Sequence, residues 1–176
     1  MREVCAKCGH VLVKDRGYPD AHYILVGEFP GQEEIYKGAV MVGEMGKMLS
    51  TELSRACISP LQLRLTNLWQ HAPTFGKLNK SVETECLKPM ISSLYEKFQA
   101  EQVKGVMLMG SDCIRWLTDL DSLEDWSSLD ITTHMLAPLP AGVWVMCMAN
   151  PAIAFHGGVG ETRLALQRFK ERMDQE

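Results

Sequence analysis

Four short apolar runs, Tyr23–Val26, Leu63–Trp69, Val103–Met109 and Val143–Met148, are separated by longer stretches of helical pattern, and this alternation constrains the fold more than any other feature. Each run has the length of a buried strand and ends in Gly, Asn or another polar residue. Gly46–Ala56, Ser81–Gln102, Ser111–Leu117 and Gly160–Met173 carry apolar residues at helical spacing instead. Strands alternating with helices predict a parallel or mostly parallel sheet covered on both faces. Ser81, followed by Glu83, Thr84 and Glu85, has the composition of a helix start whose acidic first turn suits the dipole. The segment Asp119–Pro140 is the least regular, and an excursion over the surface is expected there.

The chain has 176 residues, enough for one well-buried domain spanning 1–176. No apolar run approaches the ~18 residues of a membrane span, so a soluble protein with no membrane partner is expected. The opening Met-Arg-Glu-Val-Cys is too polar for a signal peptide, which predicts an intracellular, cytoplasmic protein. In that compartment six cysteines read as metal ligands or buried thiols rather than disulfides. A net charge of −4 argues against coating nucleic acid through overall charge, while leaving room for a local basic groove. There is no internal repeat or low-complexity tract, and a monomer is expected.

The first apolar run leads into Gly27-Glu28-Phe29-Pro30-Gly31-Gln32-Glu33-Glu34, followed by Gly38, Gly43 and Gly46. It delivers a carboxylate, Glu28, to the carboxyl end of a strand, where open parallel sheets bind ligands. The glycines keep side chains out of the way of an approaching group. Cys5-Ala6-Lys7-Cys8 is a C-x-x-C pair that needs partners to close a metal site. His71 and Cys86 are the candidates, flanking the loop from Ala72 to Lys80. Thiolates and imidazole suit zinc or an iron–sulfur cluster. Cys57, Cys113 and Cys147 lie in apolar contexts and read as core thiols.

The ordered set of C-x-x-C, Gly-Glu-Phe-Pro-Gly, Gly38 to Gly46, Thr66-Asn67, the loop to Cys86, Met109-Gly110-Ser111 and Asn150-Pro151-Ala152 resembles the family 4 type of uracil-DNA glycosylase. The likeness runs from Cys5 to about Phe155. It implies a three-layer α/β/α fold with a central four-stranded parallel sheet and an N-terminal metal-binding segment over about residues 1–20. It also implies a 4Fe–4S cluster held by Cys5, Cys8, His71 and Cys86, with zinc as the alternative, and a pocket for a base turned out of DNA. Glu28 matches the family's acidic position, where it orients or activates water and stabilises an oxocarbenium-like state. Asn67 matches the asparagine whose amide reads the edge of a pyrimidine, in a pocket lined by Gly27, Phe29 and Met41.

Four positions depart from the family pattern. Phe29 stands where a very small residue is usual. Met41 replaces the aromatic ring that stacks on uracil, a loss on the order of 1 kcal/mol or more. Asn150, expected as the second catalytic residue, replaces the histidine of His-Pro-Ala and donates only a neutral hydrogen bond to the departing base, weaker by roughly half. Activity on plain uracil is therefore expected to be reduced, redirected or absent. His71 falls where the family has its third cysteine, one residue closer to Cys86 than expected; imidazole can ligate iron or zinc, and His10 is the alternative to His71.

DNA, the expected partner, must be met by local features. Phe155, before Gly157 and Gly158, is either a wedge for the base stack or a residue packed under the last helix. Ser111 opens a helix as an N-cap or holds a phosphate. Lys77, Lys80 and Lys88, with Arg163, Arg168, Lys170 and Arg172, are the basic clusters and read mainly as a solvated face. Two functions fit: a glycosylase hydrolysing the N-glycosidic bond of uracil or another modified pyrimidine flipped out of DNA, or a module of the same fold that binds DNA or a partner protein without catalysis.

Overall fold

The computed structural model describes residues 2–72, 80–124 and 126–176. Lys77 lies outside them, as do the side chains of Lys80, Ser81 and Glu83. Strands β1 (Arg16–Gly17), β2 (Tyr23–Gly27), β3 (Leu63–Asn67), β4 (Gly105–Met109) and β5 (Trp144–Met148) form one sheet in the order β1-β3-β2-β4-β5. The last four are mutually parallel and coincide with the four apolar runs. Along them only Arg64 is not buried, and double-sided burial is why each run is almost continuously apolar.

Side chains alternate across the sheet. Ile24, Val26, Val106, Leu108 and Val145 point to one layer, where they meet Leu87, Leu94 and Phe98 of α3 (Lys80–Phe98) and Ile114 of α4 (Ser111–Leu117). Leu25, Leu65, Met107, Met109 and Met146 point to the other, against Leu49 and Leu53 of α2 (Glu44–Arg55) and Leu166 and Phe169 of α5 (Val159–Met173). The result is the expected α/β/α sandwich, each large apolar side chain contributing about 1.5–3 kcal/mol by its burial.

Two elements have no counterpart in the sequence pattern. Strand β1 is an antiparallel edge two residues long, too short to show alternation. Gly17 permits it: φ is +95°, and a Cβ there would lie 2.2 Å from the Leu63 carbonyl oxygen. Helix α1 (Gln32–Lys37) falls in the stretch that reads as a glycine-rich loop. Six residues are less than two turns, and local bonds set its ends: the Gly31 N–H donates to Glu34 Oε2 (2.6 Å), and the Gly38 N–H, at φ +75°, donates to the Glu34 carbonyl (2.7 Å).

Between α4 and β5 the chain does run over the surface, tied down by bridges Thr118–Met135 and Asp130–Met146 and by Leu123 and Ile131, which enter the core. Among the described residues no helix is long and apolar enough to cross a membrane. In the sheet β2 lies between β3 and β4, so successive connections leave it in opposite directions, and a crevice is expected at the carboxyl ends of these strands. Glu28 follows β2, Ser111 follows β4 and Asn150 follows β5 closely, which brings residues distant in sequence to that edge.

Candidate active site and metal centre

Glu28 is half-buried and fixed through both carboxylate oxygens. Oε1 accepts the Asp112 backbone N–H (2.8 Å) in the first turn of α4, and Oε2 accepts the Asn150 side-chain amide (2.6 Å). The carboxylate thus lies on a helix N-terminus, where partial positive charge favours it. Gly110 makes the approach possible, since a Cβ there would stand 2.3 Å from Glu28 Cδ and its φ is +111°. Asn150 is braced in turn: its Oδ1 accepts the Ala152 N–H (2.9 Å) and caps the 3₁₀ turn Pro151–His156.

One strand over, Asn67 pairs in register with Gly27, and its Oδ1 lies where a Gly27 Cβ would be, 2.5 Å away. Asn67 is 5% exposed, and its Nδ2 has no hydrogen-bond partner among the described residues. An orphaned buried donor is uncommon and costly, about 1–3 kcal/mol, and points to a ligand atom as its partner. The Met41 methyl lies over the same glycine, 3.2 Å from that Cβ position, and Met41 is 1% exposed. Its backbone has φ +54°, held by Glu34, whose buried carboxylate accepts both the Met41 and the Gly31 N–H. Phe29 is half-buried and packs toward the layer of α3 and α4.

The remaining expected contacts divide. Gly110, not Ser111, is the N-cap of α4, and the anion on its first turn is Glu28; Ser111 is exposed at the first helical position. Phe155 is 53% exposed, so it is not packed beneath α5. Arg163 is paired with buried Glu52 (2.9 Å), Lys170 with Asp174, and Arg172 lies over the Trp144 ring (5.6 Å). Those cations serve the fold. Beside Ser111 and Ala149 a cavity of about 750 Å³ carries Asp119, Asp121, Glu124 and Glu161 against one arginine, Arg115.

The four expected metal ligands come together. The ligand atoms of Cys5, Cys8, His71 and Cys86 all lie within 4.8 Å of one another. The first pair sits in a tight hairpin: Val4 bridges Val11, and the Gly9 N–H donates to the Cys5 carbonyl (2.8 Å) at φ +75°. Burial opposes a thiolate at Cys5, but hydrogen bonds from the Lys7 and Cys8 backbone and from the Cys8 and Cys86 thiols outweigh it and lower its pKa. Burial, then the contacts with Cys8 and Cys5, pushes Cys86 up to about 12. His71 is held neutral chiefly by burial, and its Nδ1 lies 3.1 Å from the Ala72 carbonyl, which turns Nε2 toward Cys8. His10 stands outside this set, with Nδ1 3.1 Å from Cys8 Sγ and its ring stacked on His71. By donor type and convergence the four residues fit a metal.

Of the expected core thiols, Cys113 and Cys147 are buried; burial and the nearby Glu28 charge raise the first well above its ordinary range, and burial raises the second to about 12. Cys57 is a correction. It is exposed, because the chain turns outward past α2 at φ +56°. Sequence reasoning also missed Glu34 as a loop clamp and Gly110 as the seat of Glu28. The available signals were a glutamate three residues after a helix-opening glycine, and a glycine between strand and helix. The model of the uracil DNA glycosylase superfamily matches residues 15–169, which contain Glu28, Asn67 and Asn150. The chain belongs to the uracil DNA glycosylase superfamily.

Proposed function

We propose that this protein is a monofunctional DNA-base glycosylase acting on uracil or another modified pyrimidine turned out of the helix. The observation that carries the reading is the pair formed by an oriented carboxylate, Glu28, and an unsatisfied buried amide donor, Asn67 Nδ2, at the tips of adjoining strands. Asn67 would donate to a pyrimidine carbonyl, ending its orphaned state. Glu28 spends one acceptor direction of each oxygen on protein donors and keeps the others for water. In the hydrolysis, a water oxygen bonds to C1′ of the sugar, the C1′–N bond breaks with its electron pair passing to the base, and the water proton goes to Glu28. The carboxylate also stabilises the cationic sugar between these events. Among the described residues no lysine hydrogen-bonds or pairs with Glu28, Asn67 or Asn150, so strand cleavage through a Schiff base is not expected.

Asn150 acts in this reading as a positioning residue, since one of its N–H groups is committed to Glu28. Met41 covers Gly27 beside Asn67 and must swing aside for a base, which its flexible unbranched chain permits. Phe155, exposed on the turn that Asn150 caps, is the candidate wedge. The metal held by Cys5, Cys8, His71 and Cys86 is structural, tying the N-terminus to the segment before α3. Donor type alone admits both a 4Fe–4S cluster and zinc.

A second reading, a binding module without turnover, is favoured by the burial of Met41 and Asn67, 1% and 5% exposed. Oligonucleotides carrying uracil, hydroxymethyluracil, hypoxanthine or glycosylated pyrimidines, treated with alkali after incubation, separate the two. Abasic sites on any substrate support the glycosylase. DNA binding with no abasic site on the whole panel replaces it with the module.

A further inference from the structure

We infer that the four-ligand centre closes around a single tetrahedral zinc ion and not around the 4Fe–4S cluster implied by the family likeness. The spacing of the ligand atoms distinguishes the two. Around one zinc, with Zn–S of about 2.3 Å and Zn–N of about 2.0–2.1 Å, tetrahedral angles set S···S near ~3.8 Å and S···N near ~3.6 Å. Cys5 Sγ to Cys86 Sγ is 3.8 Å, and Cys8 Sγ to His71 Nε2 is 3.5 Å. These are opposite edges of the same tetrahedron. The other separations do not exceed 4.8 Å. In a cubane cluster each thiolate sulfur sits one bond beyond its own iron at a corner of the cube, so the four ligand atoms are spread around a body of eight atoms. Four ligand atoms all within 4.8 Å of one another leave no room for that body.

The surroundings agree with one ion. Three thiolates and an imidazole form a common closed structural zinc set. The Ala72 carbonyl beside His71 Nδ1 supplies the outer hydrogen bond that orients a metal-bound histidine, and His10 supplies another to the Cys8 sulfur. His10 is thereby an outer partner and His71 the ligand. Cys5, His71 and Cys86 are buried and Cys8 is half-buried, so the centre is closed to substrate and does not take part in base excision.

The geometry of the centre is separate from base excision, so its test is independent of any glycosylase activity. Full-length protein made in iron-replete, zinc-supplied cells and purified anaerobically should be colourless and contain one zinc per chain. Zinc-edge X-ray absorption should show three sulfurs and one nitrogen, with no metal–metal scattering. Exchange with cobalt(II) should give the visible bands of a tetrahedral thiolate site. Against a competing chelator, His10→Ala should keep its zinc, while His71→Ala should lose at least 90% of it. Iron in the purified protein, with or without acid-labile sulfide, overturns the inference. So does displacement of zinc by anaerobic ferrous iron and sulfide with growth of a cluster absorption band, or failure to bind either metal when both are supplied.

Discussion

The two chemistry-bearing regions are built on opposite rules. At the metal centre three thiols and an imidazole face one common point, and the groups around them only steer the donors toward it. At the carboxyl ends of the strands, Glu28 and Asn150 are satisfied by each other, by Asp112 and by Ala152. The first arrangement would draw its stability from a bound ion, whereas the second is held by the sheet and α4. Perturbing the one should therefore unmake structure, and perturbing the other should remove chemistry. Asn67 is the exception in the second region, its buried Nδ2 having no partner among the described residues.

The largest effect that would break this contrast is at the centre. Cys86→Ser should cost on the order of 4 kcal/mol, lowering the melting temperature by roughly 10 °C in calorimetry. A melting temperature within about 2 °C of the native protein would mean the ion is no staple. Next is Glu28→Gln, which keeps shape and removes the base: single-turnover excision should fall by at least ~100-fold, about 2.7 kcal/mol of barrier, with little change in melting. Equal loss of melting and rate would erase the distinction between the regions.

Gly110→Ala sharpens it, because one methyl group meets Glu28 and also strains φ +111°. It should cost about 1–3 kcal/mol and displace the carboxylate, so stability and excision should fall together. Wild-type values of both would show that Glu28 has another seat. The smallest effect concerns Asp15, which anchors the N-terminal segment without metal through Arg64, Lys97 and Thr66. Burial opposes its charge, but the Thr66 hydroxyl, Lys97 and Arg64 outweigh it and hold the carboxyl below its ordinary 3.8. A depressed folded-state pKa means its stabilisation is present above that ordinary value and is lost as pH falls through the folded one. Asp15→Asn should thus cost about 1 kcal/mol at pH 7 and little near pH 2, which denaturant titration at both pH values would check.

Much of this contrast was legible in the chain before any coordinates. Parallel strands buried on two faces must be apolar throughout, so the four runs marked themselves, and the polar residues ending them marked the carboxyl edge of the sheet. The C-x-x-C pair Cys5–Cys8 with His71 and Cys86 likewise singled out four donors that converge. The contact between Glu28 and Asn150 was not legible, because it joins loops after different strands and depends on a cleared surface at Gly110. Glu34 was hidden for a related reason: its partners, Gly31 and Met41, are backbone amides, which have no letter in a sequence. Cys57 misled because its neighbours Ala56 and Ile58 are apolar, yet the chain has left α2 by then and its φ of +56° turns the thiol outward.

The two-residue strand β1 has a consequence for self-association. It lies along the outer rim of β3, while the excursion before β5 tacks Asp130 and Ile131 along the opposite rim. Both margins of the sheet are thereby lined by the protein's own chain, which withholds unpaired amides and carbonyls from other molecules. The N-terminal segment is a selvage as well as a tether: a copy whose tether came loose would present a raw β3 margin to its neighbours, and would be expected to clump before it unfolds.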